Sequence, residues 1–127
     1  MQLDVCDVNS LPDKVAIAAS LADRGQIDIL VNSAGVSSNL SYWDMTEAEF
    51  DKVMDINLKG TYFMCQTIAK HMVAHKVHGH ILNVSSASSI RPTWSPYHLS
   101  KWGVRGLTVG LADQLLPYVS MPLLQVL

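Results

Sequence analysis

Short apolar runs alternate along the chain with longer segments in which apolar residues recur every three or four positions. Short runs bounded by turn-forming residues are typical of buried strands, and the three-to-four-residue period is typical of amphipathic helices. Strands that alternate with helices predict parallel βαβ units with right-handed crossovers, and therefore an α/β fold. The predicted strands cover residues 3–8, 27–31 and 80–86, and the predicted helices cover residues 10–24, 46–75 and 97–116.

Residues that favour helix ends stand at the predicted helix boundaries. Ser10 can cap the first helix, with Pro12 in its first turn, and Gly25 can stop it. Residues 46–49, Thr-Glu-Ala-Glu, have the form of a capping box at the start of the second helix. Pro117 ends the last helix because proline cannot continue one.

Composition limits the kinds of partner that the chain can have. With 127 residues, of which 49% are hydrophobic and 16% charged, the chain suits a single domain over residues 1–127. The net charge of −2 gives no electrostatic reason to expect nucleic acid or an anionic membrane as a partner. No apolar run approaches the roughly 18 residues of a membrane span, and residues 1–4 do not resemble a secretory leader.

Cysteine and histidine positions bear on compartment and metal binding. Cys6 and Cys65 fall within a predicted strand and a predicted helix, so we expect two buried free thiols in a reducing, cytoplasmic compartment. His71 and His75 are one helical turn apart and could suggest a metal site. No cysteine or carboxylate completes a ligand set near them in the sequence, so we predict a solvated helix end and no metal.

A tyrosine and a lysine stand four residues apart at the start of the last predicted helix. Positions i and i+4 share one helix face, so the Lys101 ammonium can lie near the Tyr97 phenol. A nearby cation favours the ionised phenol, and this suits proton exchange at neutral pH. Ser86 ends the third predicted strand, at the edge where open α/β sheets bind ligands. The three side chains together suit hydride transfer to or from a carbonyl.

Two further features are ambiguous when each is taken alone. Asn57 falls on the apolar face of its helix, where it is either an amide bonded to a nearby loop or a functional group. Residues 32–35, Asn-Ser-Ala-Gly, follow a strand and would let a flat ligand approach, although a generic strand-to-loop turn explains them at least as well. The order in which all these features follow one another favours a functional site.

In this order the motifs resemble the central part of the short-chain dehydrogenase/reductase family, from about Leu3 to Tyr118. The resemblance implies an α/β fold with a partial Rossmann-like, doubly wound parallel sheet that contains strands 3, 4 and 5 of the family fold. It also implies a three-layer αβα arrangement that is incomplete at both ends. The matching segments are Asp7-Val8, the turn at residues 32–35 with Ser33 in place of the family's second Asn, Asp-Ile-Asn-Leu-Lys-Gly at 55–60, the strand at 79–86, and Tyr97-x-x-Ser100-Lys101.

The resemblance implies an NAD(P)-dependent oxidoreductase that interconverts an alcohol and a ketone or aldehyde by hydride transfer. Its partners would be a small-molecule alcohol or ketone and, in the full-length form, further copies in a homodimer or homotetramer. It leaves open whether the cofactor is NAD or NADP. By the same resemblance, Tyr97 would be the general acid/base, Lys101 would activate it, Ser86 would steady the substrate oxygen and Asn57 would anchor a water of the proton relay. Asp7, Val8, Asn32, Ser33, Ala34 and Gly35, together with Tyr97 and Lys101, would bind the cofactor.

Two departures from the family pattern lower the activity that we expect of the chain by itself. No Gly-x-x-x-Gly-x-Gly turn precedes Leu3, although the family binds the cofactor pyrophosphate at such a turn. A one-base shift in codons for the family's sixth strand, Arg-Ile-Asn-Ala-Val-Ala-Pro-Gly, reproduces residues 119–126, so we expect a frameshift-like tail over residues 119–127. We therefore expect weak dinucleotide binding or none, and poor activity. The alternatives are a non-catalytic remnant or a helix-mediated interaction piece and, less favoured, an epimerase or lyase of the same family type.

Overall fold

The computed structural model describes residues 1–118 and 123–125 of the chain. Within this part, helices and strands alternate from Leu11 onward, as the sequence predicts, but the first predicted strand is not formed. The helices are α1 (Leu11–Ser20), α2 (Glu47–Met54), α3 (Thr61–Ala74) and α4 (Pro96–Leu115), and the strands are β1 (Ile29–Asn32), β2 (His80–Val84) and β3 (Leu123–Gln125). A π-helical turn, Asp55–Gly60, joins α2 to α3, and short 3-10 helices cover Val8–Ser10 and Ala87–Ile90.

The sheet is parallel, with the strand order β1-β2-β3. Leu30 of β1 is aligned with Ile81 of β2, and Asn32 is aligned with Asn83. The predicted pairing of the two central strands is therefore confirmed. β3 extends the sheet on the other side of β2. It falls within the predicted tail, of which residues 119–122, 126 and 127 lie outside the described residues.

Helices cover only one face of the described sheet. Leu30 and Ile81 are buried on that face, whereas Ile29 and Val31 on the opposite face of β1 are 62% and 53% exposed. Right-handed crossovers that advance in one direction, from β1 to β2 to β3, place their helices on the same side of a sheet. The parallel α/β class is thus confirmed, but the predicted three-layer arrangement is replaced by two layers in the described residues. The core between these layers contains Leu11, Val15, Leu30, Met64, Cys65, Ile68, Ala69, Met72, Val77 and Ile81.

The segment predicted as the first strand, residues 3–8, does not form a strand. Its backbone turns, and the amide of Asp7 donates to the carbonyl oxygen of Asp4 at 3.2 Å. In the described sheet no strand lies beside this segment, so its backbone groups are satisfied by local turns instead of a ladder. Cys6 is consequently exposed, contrary to our expectation, while Cys65 is fully buried as expected.

The predicted helix-end signals are confirmed in part. Thr46 caps α2, since its hydroxyl oxygen accepts a hydrogen bond from the amide of Glu49 at 3.2 Å. Ser10 does not cap α1 through its side chain, because its hydroxyl donates to the carbonyl oxygen of Asp7 at 3.0 Å. α1 ends at Ser20, earlier than predicted, and the following turn reaches Gly25 with φ of 64°, a conformation that glycine adopts without strain.

None of the described helices is long and apolar enough to cross a membrane. Among the described residues, no group of three histidine, cysteine or acidic side chains is placed to hold a metal ion.

The end of α3 contains a histidine whose protonation should affect stability. Nε2 of His71 accepts a hydrogen bond from the amide of Ile27 at 3.2 Å, just before β1. The ring of His75 lies 4.3 Å from the ring of His71, centroid to centroid. Partial burial, and to a smaller extent the charge of His75, lower the pKa of His71 below its usual 6.5. Protonated His71 could not accept the Ile27 bond, so the fold favours the neutral ring.

We expect the chain to lose stability on mild acidification through His71. A folded-state pKa below the unfolded value means that this contribution is fully present above pH 6.5 and is lost as pH falls through the lower folded pKa. Thermal unfolding midpoints measured from about pH 7.5 down to about pH 5 should fall less in His71→Gln than in the parent chain. His78→Gln, at an exposed site, is the control. An identical pH dependence in His71→Gln and the parent would contradict the assignment.

Candidate active site

Lys101 is tied to the end of β2 at both its side chain and its main chain. The residue is only 5% exposed, and its Nζ donates to the carbonyl oxygen of Val84 at 2.9 Å. The hydroxyl of Ser85 donates to the carbonyl oxygen of Lys101 at 3.1 Å. Burial lowers the pKa of Lys101 because the charged form loses hydration. The amino end of α4 is therefore fixed to the strand end that leads to Ser86.

Tyr97 lies beside this lysine, one helical turn earlier on α4. Nζ of Lys101 is 5.6 Å from the centroid of the Tyr97 ring. The ring also meets His98 edge to face, with centroids 5.3 Å apart. The Tyr97 hydroxyl makes no hydrogen bond within the described part of the chain, so it is available to an external partner. The structure thus brings the phenol and the ammonium together.

Asn57 occupies the π-helical turn and is completely buried. Its Oδ1 accepts from the amide of Val36, and its Nδ2 donates to the carbonyl oxygen of Val36, both at 2.8 Å. Nδ2 also donates to the hydroxyl of Ser100 at 3.1 Å. Thr61 donates its hydroxyl to the carbonyl oxygen of Asn57 at 2.8 Å, within the next turn. The Asn57 amide therefore joins the loop after β1 to helix α4.

Ser100 joins Asn57 to the backbone of Tyr97, although no role was predicted for Ser100 from the sequence. It is fully buried, and its hydroxyl donates to the carbonyl oxygen of Tyr97 at 2.6 Å while it accepts from Asn57. The chain of contacts thus runs from Val36 through Asn57 and Ser100 to the backbone of Tyr97. Ser100 stands three residues after Tyr97, on the same helix face. This spacing was the signal in the sequence that could have identified its role.

The two serines after β2 have different environments. Ser85 is 3% exposed, and its hydroxyl donates to the carbonyl oxygen of Lys101. Ser86 is half-buried, and its hydroxyl oxygen accepts from the amide of Ser88 at 3.2 Å at the start of the 3-10 helix. The hydroxyl proton of Ser86 has no acceptor among the described residues, so Ser86 is the better placed of the two to meet a ligand. Ser89, further along, is fully buried with an unpartnered hydroxyl in this part of the chain.

The Asn-Ser-Ala-Gly turn approaches the same cluster through Gly35. A Cβ atom added to Gly35 would lie 3.5 Å from Oδ1 of Asn57 and 3.6 Å from Nζ of Lys101. Ser33, Ala34 and Gly35 are exposed, as a ligand-binding turn requires. The missing side chain at Gly35 leaves an open approach to the ammonium of Lys101.

The Asn32 side chain points away from this approach and into the interior. Its Nδ2 donates to Oδ1 of Asn83 at 2.8 Å and contacts the Cys65 sulfur at 3.2 Å. Asn83 in turn donates to the hydroxyl of Thr108 at 2.9 Å. Burial raises the pKa of Cys65 to about 11, so this thiol is neutral within the network. Asn32 can therefore meet a cofactor only through its backbone, and its side chain stabilises the strand ends.

Asp7 and Val8 lie on the amino-terminal segment, away from the hydrogen-bond network of the site. The carbonyl oxygen of Asp7 accepts from the amide and the hydroxyl of Ser10. Within the described chain, no hydrogen bond joins either residue to Tyr97, Lys101, Ser86 or Asn57. The segment nevertheless approaches the π-helical turn, because a Cβ added to Gly60 would lie 2.8 Å from Cβ of Val5.

Comparison with known proteins identifies the family of this chain. The family model described as short chain dehydrogenase matches residues 1–123. The chain belongs to this family. Short-chain dehydrogenases use NAD or NADP, and the cluster around Tyr97 and Lys101 lies within the matched residues.

Several short-chain dehydrogenases of known activity are similar to this chain over most of its length. Gluconate 5-dehydrogenase of Gluconobacter oxydans is 34% identical over 111 residues, which are 86% of this chain and 42% of the relative. The 3alpha-hydroxysteroid dehydrogenase of Mediterraneibacter gnavus is 37% identical over 112 residues, which are 84% of this chain and 44% of the relative. The chain thus spans less than half the length of these curated relatives.

Solved structures of short-chain dehydrogenases share the fold. A gluconate 5-dehydrogenase from Burkholderia cenocepacia, in complex with NADP and tartrate, is 30% identical with a TM-score of 0.88 and covers 98% of this chain and 48% of its own. A metagenomic short-chain oxidoreductase in complex with NADP is 31% identical with a TM-score of 0.79 and covers 97% of this chain and 55% of its own.

The residues present fit the nicotinamide end of such a cofactor. Lys101 has three N–H donors, and one of them is bonded to Val84. The Tyr97 hydroxyl is available, and Gly35 leaves space beside the ammonium. The other N–H donors of Lys101 and the Tyr97 hydroxyl, beside the backbone of Gly35, suit the hydroxyls of a sugar.

Proposed function

We propose that this chain carries the catalytic residues of an NAD(P)-dependent oxidoreductase that interconverts an alcohol and a ketone or aldehyde. The observation that carries the proposal is the placement of Nζ of Lys101 5.6 Å from the centroid of the Tyr97 ring, at the end of the strand that leads to Ser86. A phenol with an available hydroxyl, a buried cation and a hydroxyl at a strand end form an acid/base site. Membership in the dehydrogenase family supports the same chemistry.

In this proposal Tyr97 exchanges a proton with the substrate oxygen. It donates the proton when a carbonyl is reduced and accepts it when an alcohol is oxidised. The ammonium of Lys101 lies beside this phenol, 5.6 Å from the ring centroid. Ser86 donates a hydrogen bond from its hydroxyl to the substrate oxygen and so orients it. When bound, the cofactor would supply the hydride in its reduced form, NADH or NADPH, and take it up in its oxidised form, NAD or NADP.

Asn57 acts in the proposal mainly by fixing the site. Both protons of its Nδ2 are engaged, by Val36 and Ser100, and Oδ1 accepts from the amide of Val36. A carbonyl oxygen can accept two hydrogen bonds, so Oδ1 retains capacity for a water of the proton relay. The anchoring of Val36 keeps the loop after Gly35 beside Lys101, which we propose holds a sugar hydroxyl of the cofactor. Asp7, Val8 and residues 32–35 would line the adenosine half.

We propose a homodimer or homotetramer as the working form of the full-length protein. An apolar groove of about 520 Å³ between α3 and α4 supports this, since its lining includes Leu107, Leu111 and Leu115. The exposed and buried free thiols of Cys6 and Cys65 agree with a reducing, cytoplasmic setting.

Cofactor-dependent turnover tests the proposed function. We expect the purified, monodisperse chain to bind NAD or NADP weakly and to convert an alcohol or ketone slowly, so the assay uses high protein concentration and chromatographic detection of product. Reactions without cofactor are the control. Folded protein that forms no product from a panel of alcohols and ketones, with either cofactor at millimolar concentration, would refute the proposal and favour the non-catalytic alternative.

A further inference from the structure

Three large aromatic side chains line a small surface cavity, and they belong to the loops that follow β1 and β2. Tyr42 meets Trp43 edge to face with ring centroids 5.4 Å apart, and it meets Trp94 in the same manner at 6.3 Å. Together with Ser41 they line a cavity of about 420 Å³. Tyr42, Trp43 and Trp94 are 61%, 89% and 55% exposed. We refer to these four residues as the aromatic pocket.

Both loops that form the aromatic pocket are anchored to site residues. The loop that carries Tyr42 and Trp43 is bonded at Val36 to Asn57 through two hydrogen bonds. The loop that carries Trp94 lies between Ser86 and Tyr97 in the chain. Nε1 of Trp102, on α4, donates to the carbonyl oxygen of Arg91 at 2.9 Å and holds this second loop against the helix.

The second loop is also tied to the residue next to Tyr97. The hydroxyl of Thr93 and Nδ1 of His98 are 3.1 Å apart, and the Thr93 oxygen accepts from the amide of Ser95 at 3.0 Å. These bonds fix the backbone on both sides of Trp94. The aromatic pocket is therefore built onto the catalytic framework and is not an isolated surface feature.

Core packing does not account for these exposed rings. Contiguous apolar patches that remain open to water on a folded protein mark binding surfaces. Edge-to-face contacts leave ring faces free, and free ring faces favour stacking by flat, apolar groups. The three rings would thus favour a flat, apolar group over a polar one.

Charge near the pocket disfavours acidic substrates. Asp44 is the only charged residue in the stretch 33–45, and its carboxylate accepts a hydrogen bond from the hydroxyl of Ser41, which lines the pocket. A fixed carboxylate beside a cavity repels a second one. The second loop, residues 87–95, contributes one charged residue, Arg91. The two loops together carry one acidic and one basic residue, so they offer no net positive charge to a sugar acid or a phosphate.

We propose that the aromatic pocket receives the aryl or other flat apolar part of the substrate, whose alcohol or carbonyl group then meets Tyr97 and Ser86. The substrate class is accordingly an aryl secondary alcohol and the matching ketone. This inference rests on the proposed function, since it names the substrate of the same site.

Nuclear magnetic resonance of the indole N–H groups tests the pocket without requiring turnover. The chain has 3 tryptophans, and each gives one indole signal, which single Trp→Phe variants assign. We expect titration with acetophenone to shift the signals of Trp43 and Trp94 more than that of Trp102, whose N–H is bonded to Arg91. Gluconate, at equal concentration, should leave all three unchanged. Larger shifts with gluconate, or no shift at Trp43 and Trp94 with acetophenone, would overturn the proposal.

Variants add a quantitative criterion. Trp43→Ala and Trp94→Ala should each weaken acetophenone binding by up to about tenfold, the effect of one aromatic contact. Tyr62→Ala is the matched control, because Tyr62 belongs to a separate aromatic pair with Phe63 on α3. Trp43→Phe keeps a ring and should retain most of the affinity for acetophenone. It replaces Trp43→Ala in the experiment if the alanine variant does not fold. Unchanged affinity in the folded Trp43 and Trp94 variants would overturn the proposal.

The binding and turnover experiments separate the two proposals. If acetophenone binds at the aromatic pocket and no cofactor-dependent product forms, the proposed function fails while the binding site stands. If aryl ketones are reduced and the pocket signals do not respond, the proposed function stands and the pocket assignment fails.

Discussion

Tyr97→Phe should lower the rate of cofactor-dependent carbonyl reduction by about 10²–10⁴-fold, the usual effect of losing a general acid/base. The change removes one oxygen atom and keeps the ring that lies beside Lys101. The Tyr97 hydroxyl makes no hydrogen bond to another described residue, so its removal should not disturb the fold. The loss should therefore appear mainly in the chemical step, with a smaller effect on the binding of cofactor.

The measurement is product formation at high protein concentration, with circular dichroism and thermal unfolding to verify the fold. Tyr62→Phe is the matched control, since it removes a phenolic hydroxyl from an exposed tyrosine on α3. Retention of more than about a tenth of the parent rate in Tyr97→Phe would remove Tyr97 from the acid/base role.

Asn57→Ala should destabilise the chain by about 3 kcal/mol, since three hydrogen bonds of about 1 kcal/mol each are lost. These are the two bonds to the backbone of Val36 and the bond to Ser100. Asn57 is completely buried, so the groups of Val36 and Ser100 that it bonds would be left without a side-chain partner. Because the same bonds position the backbone of Tyr97, activity should fall with stability.

Urea unfolding at neutral pH gives the free energy of unfolding of the variant and of the parent. Asn39→Ala, at an exposed loop position, should change it by no more than about 0.5 kcal/mol. Asn57→Asp keeps an acceptor for the Val36 amide and loses both donors, so it should also be destabilised. A change within about 0.5 kcal/mol for Asn57→Ala would show that the hydrogen bonds of Asn57 do not hold the loop.

Local patterns were sufficient for β1 and β2 and for the Tyr97–Lys101 pair. The runs at residues 27–31 and 80–86 became paired parallel strands, because short apolar runs bounded by turns need burial on a sheet. The four-residue spacing of Tyr97 and Lys101 placed both on one face of α4, because the helix period is a property of the backbone. These features depend on neighbours in the chain.

Features that depend on distant partners were not accessible from the sequence. Residues 3–8 have the composition of a strand but lack a neighbouring strand in the described sheet, so composition alone misled. The π-helical turn at Asp55–Gly60 interrupts a helix that the periodicity presents as continuous. The bonds of Asn57 to Val36 and Ser100 join residues 21 and 43 positions apart, and no local rule predicts such a pairing.

Lys101 is attached both to the last residue of β2 and to the residue that follows it, and this has an evolutionary consequence. Two hydrogen bonds, at Val84 and Ser85, hold the strand end against the helix start. The loops at residues 37–45 and 87–95 can therefore diversify without altering the spacing of the reactive groups. Proteins that share this attachment could change their substrates and still keep the same catalytic chemistry.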